Sequence, residues 1–311
     1  MMKDKLIVIV GPTAVGKTAL SVKLCKKYRG EVISGDSMQV YKGMDIGTAK
    51  VTLAEQEGVP HHLIDIKTPD ESFSVAEFQE RVIPLISCIN KAGHLPFLVG
   101  GTGLYVNSIT KRYQLSEMKA DETYRQELEQ LARQIGNEKL HNILKEVDVA
   151  SAEAIHPNNV RRVIRALEVL HVTGIPFSKQ QHEEKSEEEA PYQLAFIGLT
   201  TERERLYQRI NERVDIMMEQ GLLDEAKALF DLGIKDCQSV KAIGYKELYD
   251  YFNGFCTLDE AIEQIKQNSR RYAKRQLTWF RNKTDATWFD TTDGVTDQVF
   301  HEICTFIEGK I

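Results

Sequence analysis

Gly11-Pro12-Thr13-Ala14-Val15-Gly16-Lys17-Thr18 fits the pattern G-x-x-x-x-G-K-[ST], whose residue types make an anion cradle. Gly11 and Gly16 free the backbone to curl, so that the N–H groups of Thr13, Ala14, Val15 and Gly16 can point inward. A helix starting at Lys17 adds its partial positive charge, Lys17 supplies a mobile cation, and the Thr18 hydroxyl suits Mg²⁺. The loop predicts a bound diphosphate or triphosphate without saying which compound carries it. Asp36 directly follows a strand-like run and a glycine. A carboxylate there can take a proton from an attacking nucleophile or hold Mg²⁺ through water, and it can equally be a turn former. Gly100-Gly101-Thr102-Gly103 offers a hydroxyl at Thr102 within a glycine-rich turn.

Other groups carry weaker signals. His61 and His62 are adjacent and so cannot face one ligand from a strand or helix, which predicts a structural role. Asp65 closes a short apolar run in the manner of a Walker-B acid. Arg161, Arg162 and Arg165 fall together on a helix whose other face is Val163, Ile164, Leu167 and Leu170. They can line a phosphate backbone, or form a solvated face balanced by Glu168. Between Gln264 and Lys283 stand seven basic residues, among them Arg270, Arg271, Lys274 and Arg275, with no acid. Tyr272, Trp279 and Phe280 lie among them. Single-sign charge interleaved with aromatic rings suits a polyanion better than a merely soluble helix does.

The elements that must position these groups read as an α/β chain. The β-branched run Leu6–Val10 enters the glycine loop as a buried strand, Glu31–Ser34 leads to Asp36, and Leu95–Val99 leads to Thr102. Between the last two, 74–91 has helical periodicity, with a kink expected at Pro84 and a stop at Gly93. Alternating strands and helices predict a doubly wound parallel sheet, in which ligands sit beyond the carboxyl ends of the strands. That rule brings the glycine loop, Asp36 and Thr102 to one mouth. From about residue 111 helices follow without strands, at 122–135, 138–147 and 159–172, with Gly136 and Gly174 as stops. The acidic run Glu183–Glu189 reads as a linker. The sheet resumes at 193–199, followed by helices near 203–220, 224–232 and 258–282 and a last strand at 286–289. The expected division is therefore a core from 1–110 and 190–311 with a helical insertion at 111–189.

Composition narrows the function classes. The chain has 311 residues, a formal net charge of −6 and five scattered cysteines without a C-x-x-C pair. These features speak against a general nucleic-acid coat, a disulfide scaffold and a zinc site. No long apolar span appears, and the N-terminal apolar stretch is too short for a signal peptide, so a cytoplasmic protein without a membrane partner is expected.

Taken together the motifs resemble the tRNA dimethylallyltransferases, also called tRNA isopentenyltransferases. The resemblance rests on GPTAVGKT, GDSMQVYKGMDIGTAK from Gly35, HHLID from His61, GGTGLY from Gly100, RRVIRALEV from Arg161, KAIGYKE from Lys241 and RRYAKRQLTWFR from Arg270. It implies a P-loop-kinase-like core that holds dimethylallyl diphosphate and passes its allyl group to the exocyclic amine of the adenine 3′ of the tRNA anticodon. By that resemblance Asp36 is the base. Lys17 and Thr18 neutralise the diphosphate with Mg²⁺, and Thr102 lies against the target nucleotide. Contacts with tRNA are implied for Asp36, Ser37, Met38, Gln39, Arg125, Arg161, Arg162, Val163, Ile164, Arg165, Lys241 and Lys246. The insertion would grip the anticodon arm. With no cysteine–histidine cluster near Ile311, the chain looks like the shorter bacterial form, expected to act as a monomer. From the residues alone, a nucleotide-dependent small-molecule kinase and an RNA-binding regulator with a nucleotide-sensing loop remain open.

Overall fold

The computed structural model describes residues 3–111, 121–182 and 191–311, and the side chains of these except at 180–182. The chain divides into two compact units, Met1–Arg112 with Ala190–Ile311, and Tyr113–Glu189. The acidic run 183–189 lies outside the described residues.

In the first unit, β1 (Lys5–Val10) leads through the glycine loop to α1 (Lys17–Tyr28) and β2 (Gly30–Ser34). After these come α2 (Leu53–Gln56), β3 (His61–His62), α3 (Val75–Lys91), β4 (Leu95–Gly100) and α4 (Gly103–Thr110). The second unit contains α5 (Glu122–Ile135), α6 (Asn137–Val147), α7 (Val149–Ala154), α8 (Val160–Thr173) and α9 (Phe177–His182). The first unit then resumes with β5 (Gln193–Thr200), α10 (Arg203–Glu219), α11 (Leu222–Asp231), α12 (Tyr245–Phe252), α13 (Leu258–Lys283), β6 (Thr287–Asp290) and α14 (Asp297–Glu308).

The sheet has the order β3-β2-β4-β1-β5-β6 and every described pairing is parallel. Its central strand β1 is apolar from Leu6 to Val10 because both faces are covered there. Leu6, Val8 and Val10 enter one core with Phe78, Val82 and Ile109, while Ile7 and Ile9 enter the other with Leu20, Leu24 and Ile303. Alternate residues thus serve opposite faces, which requires a near-continuous hydrophobic run. The strand order also places the ends of β2, β4 and β1 side by side. The loops leaving these three strands carry Asp36, Thr102 and the phosphate cradle.

Helix α3 continues across Pro84, and Gly93, at φ 78°, turns the chain toward β4. Helix α13 starts with a capping box in which Thr257 Oγ1 accepts from Glu260 N and Glu260 Oε2 accepts from Thr257 N. Such a box satisfies two otherwise orphaned donors at the head of its 26 residues. The second unit is held by Leu128, Leu140, Leu144, Val163, Ile164 and Leu167. No helix among the described residues is long and apolar enough to cross a membrane.

Candidate active site

Two glycine approaches bring the loops together. Gly16 sits at φ 96°, a left-handed conformation that lets the cradle turn into α1. A Cβ on Gly100 would lie 2.4 Å from the Gly35 carbonyl, so the Asp36 and Thr102 loops run in backbone contact. Thr102 Oγ1 accepts from Ser37 N at 3.2 Å, and Thr102 N donates to Gly35 O at 3.4 Å. Asp36 Oδ1 accepts from Met38 N at 2.8 Å and Gln39 N at 3.4 Å. The turn-forming reading of Asp36 thus holds for one of its two oxygens. One oxygen closes an Asx turn, and no described group donates to the other.

These loops open on a cavity of about 670 Å³ lined by the cradle from Thr13 to Thr18, Asp36, Gln39, Gly101, Arg213, Tyr272 and Gln276. Lys17 Nζ donates to Gly11 O at 3.0 Å and Pro12 O at 2.7 Å. Burial, and secondarily the charge of Arg213, lower the Lys17 ammonium to about 8 while Asp36 opposes them. Burial likewise lowers the Arg213 guanidinium, against the attraction of Glu55 and Asp36. Two cations are thus pressed together beside the glycine loop, while the Thr13 N–H, expected to point into the cradle, donates to Gln276 Oε1 at 2.9 Å instead. Burial and the Asp36 charge raise the Tyr272 phenol to about 12, although Thr102, Gln276 and Arg275 counter the rise. Tyr272 therefore stays a neutral hydrogen-bonding group at the mouth.

Sequence patterns do not single out Arg213, Tyr272 and Gln276 as lining this site. Arg213 lies in α10 amid ordinary mixed charge, and only Tyr272 and Gln276 carry a signal, through their basic segment. Asp65 does not supply a Walker-B-like acid. Its Oδ1 accepts from Lys50 Nζ at 2.5 Å, and Lys50 also donates to Tyr41 O at 2.6 Å and Asp45 Oδ1 at 2.5 Å. His61 and His62 do not form a metal pair. His61 Nδ1 meets Val59 O at 2.8 Å and His62 Nε2 meets Glu31 Oε2 at 2.7 Å. No cluster of potential metal-ligating His, Cys, Asp or Glu occurs among the described residues.

Around this mouth, Met38 packs against the core, and Gln39 Nε2 donates to Thr48 O and Ala49 O. Lys241 and Lys246 are exposed. On α13, Arg270 is tied to Asn211 and Lys266 to Asp215. Arg271, Lys274 and Arg275 are exposed, and no described carboxylate lies within ion-pair distance of them.

Within the second unit the expected RNA contacts separate. Val163 and Ile164 are 0% and 5% exposed and belong to the core, so their side chains offer no surface to RNA. Glu168 is fully buried rather than part of a solvated face. Its carboxylate accepts from Arg125 Nε at 2.9 Å, Arg165 Nη1 at 2.8 Å and Asp121 N at 2.9 Å. Arg125 and Arg165 therefore carry structural charge. Arg161 and Arg162 are exposed without an acidic partner among the described residues.

Comparison with known proteins adds three findings. Residues 39–283 match the family profile described as IPP transferase. The chain is 62% identical over all 311 residues to a tRNA dimethylallyltransferase of Halalkalibacterium halodurans, covering 98% of that relative, and 58% identical to one of Bacillus cereus, covering 96%. Among solved structures, a tRNA isopentenylpyrophosphate transferase from Bacillus halodurans is similar at 60% identity and TM-score 0.76, with 99% of this chain and 97% of that one covered. A eukaryotic dimethylallyltransferase captured acting on tRNA is similar at 32% identity and TM-score 0.83, covering 99% and 80% respectively.

Proposed function

Because the chain belongs to the IPP transferase family, we propose that it transfers the dimethylallyl group of dimethylallyl diphosphate to the exocyclic amine of the adenine 3′ of the tRNA anticodon, releasing diphosphate. The observation that carries this reading is the shared cavity, which sets a carboxylate, Asp36, opposite two cations, Lys17 and Arg213, at a phosphate cradle. The N6–C1 bond forms as the C1–O bond to diphosphate breaks, and the amine proton passes to Asp36. Adenine's amine is a weak nucleophile because its lone pair is delocalised, so a positioned base helps. The charge developing on the leaving diphosphate is met by Lys17, Arg213 and the cradle's N–H groups other than that of Thr13, which Gln276 holds.

Thr18 and Asp36 both present hard oxygen donors to this cavity, a donor set that Mg²⁺ accepts. When bound, Mg²⁺ would neutralise phosphate charge there. Thr102, linked to Ser37, stands beside Asp36 where the target base must lie, and Tyr272 supplies a neutral ring and hydroxyl for a base drawn out of its stack. Lys241, Lys246, Arg271, Lys274 and Arg275 supply phosphate contacts. In the second unit, which we assign to the anticodon arm, Arg161 and Arg162 do the same.

The small-molecule kinase would organise its metal through Thr18 with Asp36 or Asp65, and the engagement of Asp65 by Lys50 leaves it Asp36 alone. The test is incubation with Mg²⁺, unmodified tRNA and labelled dimethylallyl diphosphate, beside a sample given labelled ATP, followed by mass spectrometry of digested RNA. One five-carbon addition on a single adenosine with ATP intact supports the transferase. ATP turnover with unchanged RNA refutes it.

A further inference from the structure

Gln276, in α13, is only 5% exposed yet belongs to neither apolar core. Its Oε1 accepts from Thr13 N at 2.9 Å and its Nε2 donates to Gly101 O at 3.0 Å. The two backbone partners fix the orientation of the amide, since one can only donate and the other only accept. A single side chain therefore stitches the crest of the phosphate cradle to the loop that carries Thr102. The approach is close. A Cβ on Gly101 would lie 2.0 Å from Gln276 Nε2.

We propose that Gln276 is a positioning residue for the reaction, setting the distance between the diphosphate and the acceptor base by holding these two loops through one amide. The inference rests on the proposed transferase activity. The Thr13 N–H is not spent on substrate. It is spent on fixing how the remaining N–H groups of the cradle point. On the other side, Gly101 directly precedes Thr102, whose hydroxyl engages Ser37 next to Asp36. Displacing either loop would move the leaving group relative to the base, and misplacements of about 1 Å can cost roughly 100-fold in rate. At neutral pH a primary amide supplies both an acceptor and a donor at this spacing, whereas an ionised carboxylate supplies acceptors only. Methionine leaves both backbone groups unpaired, and ionised glutamate presents an acceptor to the Gly101 carbonyl.

The experiment compares the wild type with Gln276→Met, Gln276→Glu and Gly101→Ala. Each is assayed for thermal midpoint, tRNA affinity by filter binding, and kcat and KM with dimethylallyl diphosphate. The expected result is a kcat lowered about 10- to 100-fold in all three, with tRNA affinity within about twofold of wild type. For Gln276→Glu, the deficit relative to wild type should shrink as pH falls from 8 to 6. The neutral carboxylic acid can donate to Gly101 O where the carboxylate cannot, and burial raises its pKa. Lys17, Asp36, Arg213 and Tyr272 also face this cavity, so the ratio to wild type at each pH is the quantity read. A structural role alone would lower the midpoint without a carboxylate-specific pH signature. A kcat within threefold of wild type, tRNA affinity lost in parallel with kcat, or a pH-independent deficit in Gln276→Glu would each overturn the inference. Should the Gln276 variants fail to fold, Gly101→Ala displaces the amide from the other side, and its kcat at unchanged tRNA affinity then decides between support and refutation. Absence of transfer by the wild type would instead refute the parent proposal.

Discussion

Lys17→Met should abolish transfer and yet stabilise the unliganded protein. The Lys17 ammonium falls from 10.5 to about 8 through burial and the neighbouring Arg213 charge. Folding therefore favours the neutral amine, so it costs free energy wherever the amine is charged in both states, below about pH 8. That cost fades as pH rises toward 10.5. At 1.36 kcal/mol per tenfold change in proton affinity, the drop from 10.5 to about 8 amounts to roughly 3 kcal/mol at pH 7. Methionine keeps the stem without the charge but gives up the hydrogen bonds to Gly11 O and Pro12 O, which offsets about 1–2 kcal/mol. The net gain at pH 7 is then about 1–2 kcal/mol. The firmer quantity is its pH dependence, because the packing changes cancel when one pH is compared with another. Between pH 7 and 9.5 the advantage of the variant should shrink by about 2 kcal/mol as the wild type sheds its proton. Urea unfolding of both proteins, phosphate-free and in matched buffers, measures this directly. A stability difference that stays flat across this range, or grows with pH, would refute the electrostatic argument, whatever its sign at pH 7.

Other outcomes follow from the same geometry. Asp36→Ala should lower transfer by about 10²–10⁴-fold while tRNA affinity in filter binding changes little, and near-normal turnover would remove Asp36 as the base. Glu225 accepts from the N–H groups of Asp45, Ile46 and Gly47 at 2.8, 2.8 and 3.0 Å and from the Tyr245 hydroxyl at 2.6 Å. Glu225→Ala should therefore cost about 2–4 kcal/mol in urea unfolding, and a loss under 1 kcal/mol would show that water replaces the carboxylate. In the second unit, Arg161→Ala and Arg162→Ala should each flatten the dependence of log affinity on log salt by about 0.7–0.9 without shifting the thermal midpoint. Val163→Ala should do the reverse, costing about 1–3 kcal/mol of stability with the salt slope unchanged, since its side chain is fully buried.

What can be read from the chain follows from where the chemistry is encoded. The convergence of the glycine loop with Asp36 and the Thr102 loop is legible because each stands where a strand gives way to a loop, and in a parallel sheet such loops converge without further information. Arg213 and Gln276 are not, because they reach Thr13 from helices 200 and 263 residues away in sequence. Nothing local distinguishes a helical arginine that turns toward a cavity from one that turns toward water. The buried Glu168 misleads for the same reason. Its two arginine partners sit one on its own helix and one on α5, so the compensation that permits its burial is not visible within α8. The arginine segment shows the limit most clearly. Five consecutive helical residues turn through about 400°, so Arg161 to Arg165 cannot share one face. Some of them must enter the core, and the apolar pair Val163 and Ile164 does. A run of neighbours can form a single contact surface only where the backbone is not helical. On a helix the same contiguity guarantees division between core and solvent, and only residues three or four apart can meet one partner.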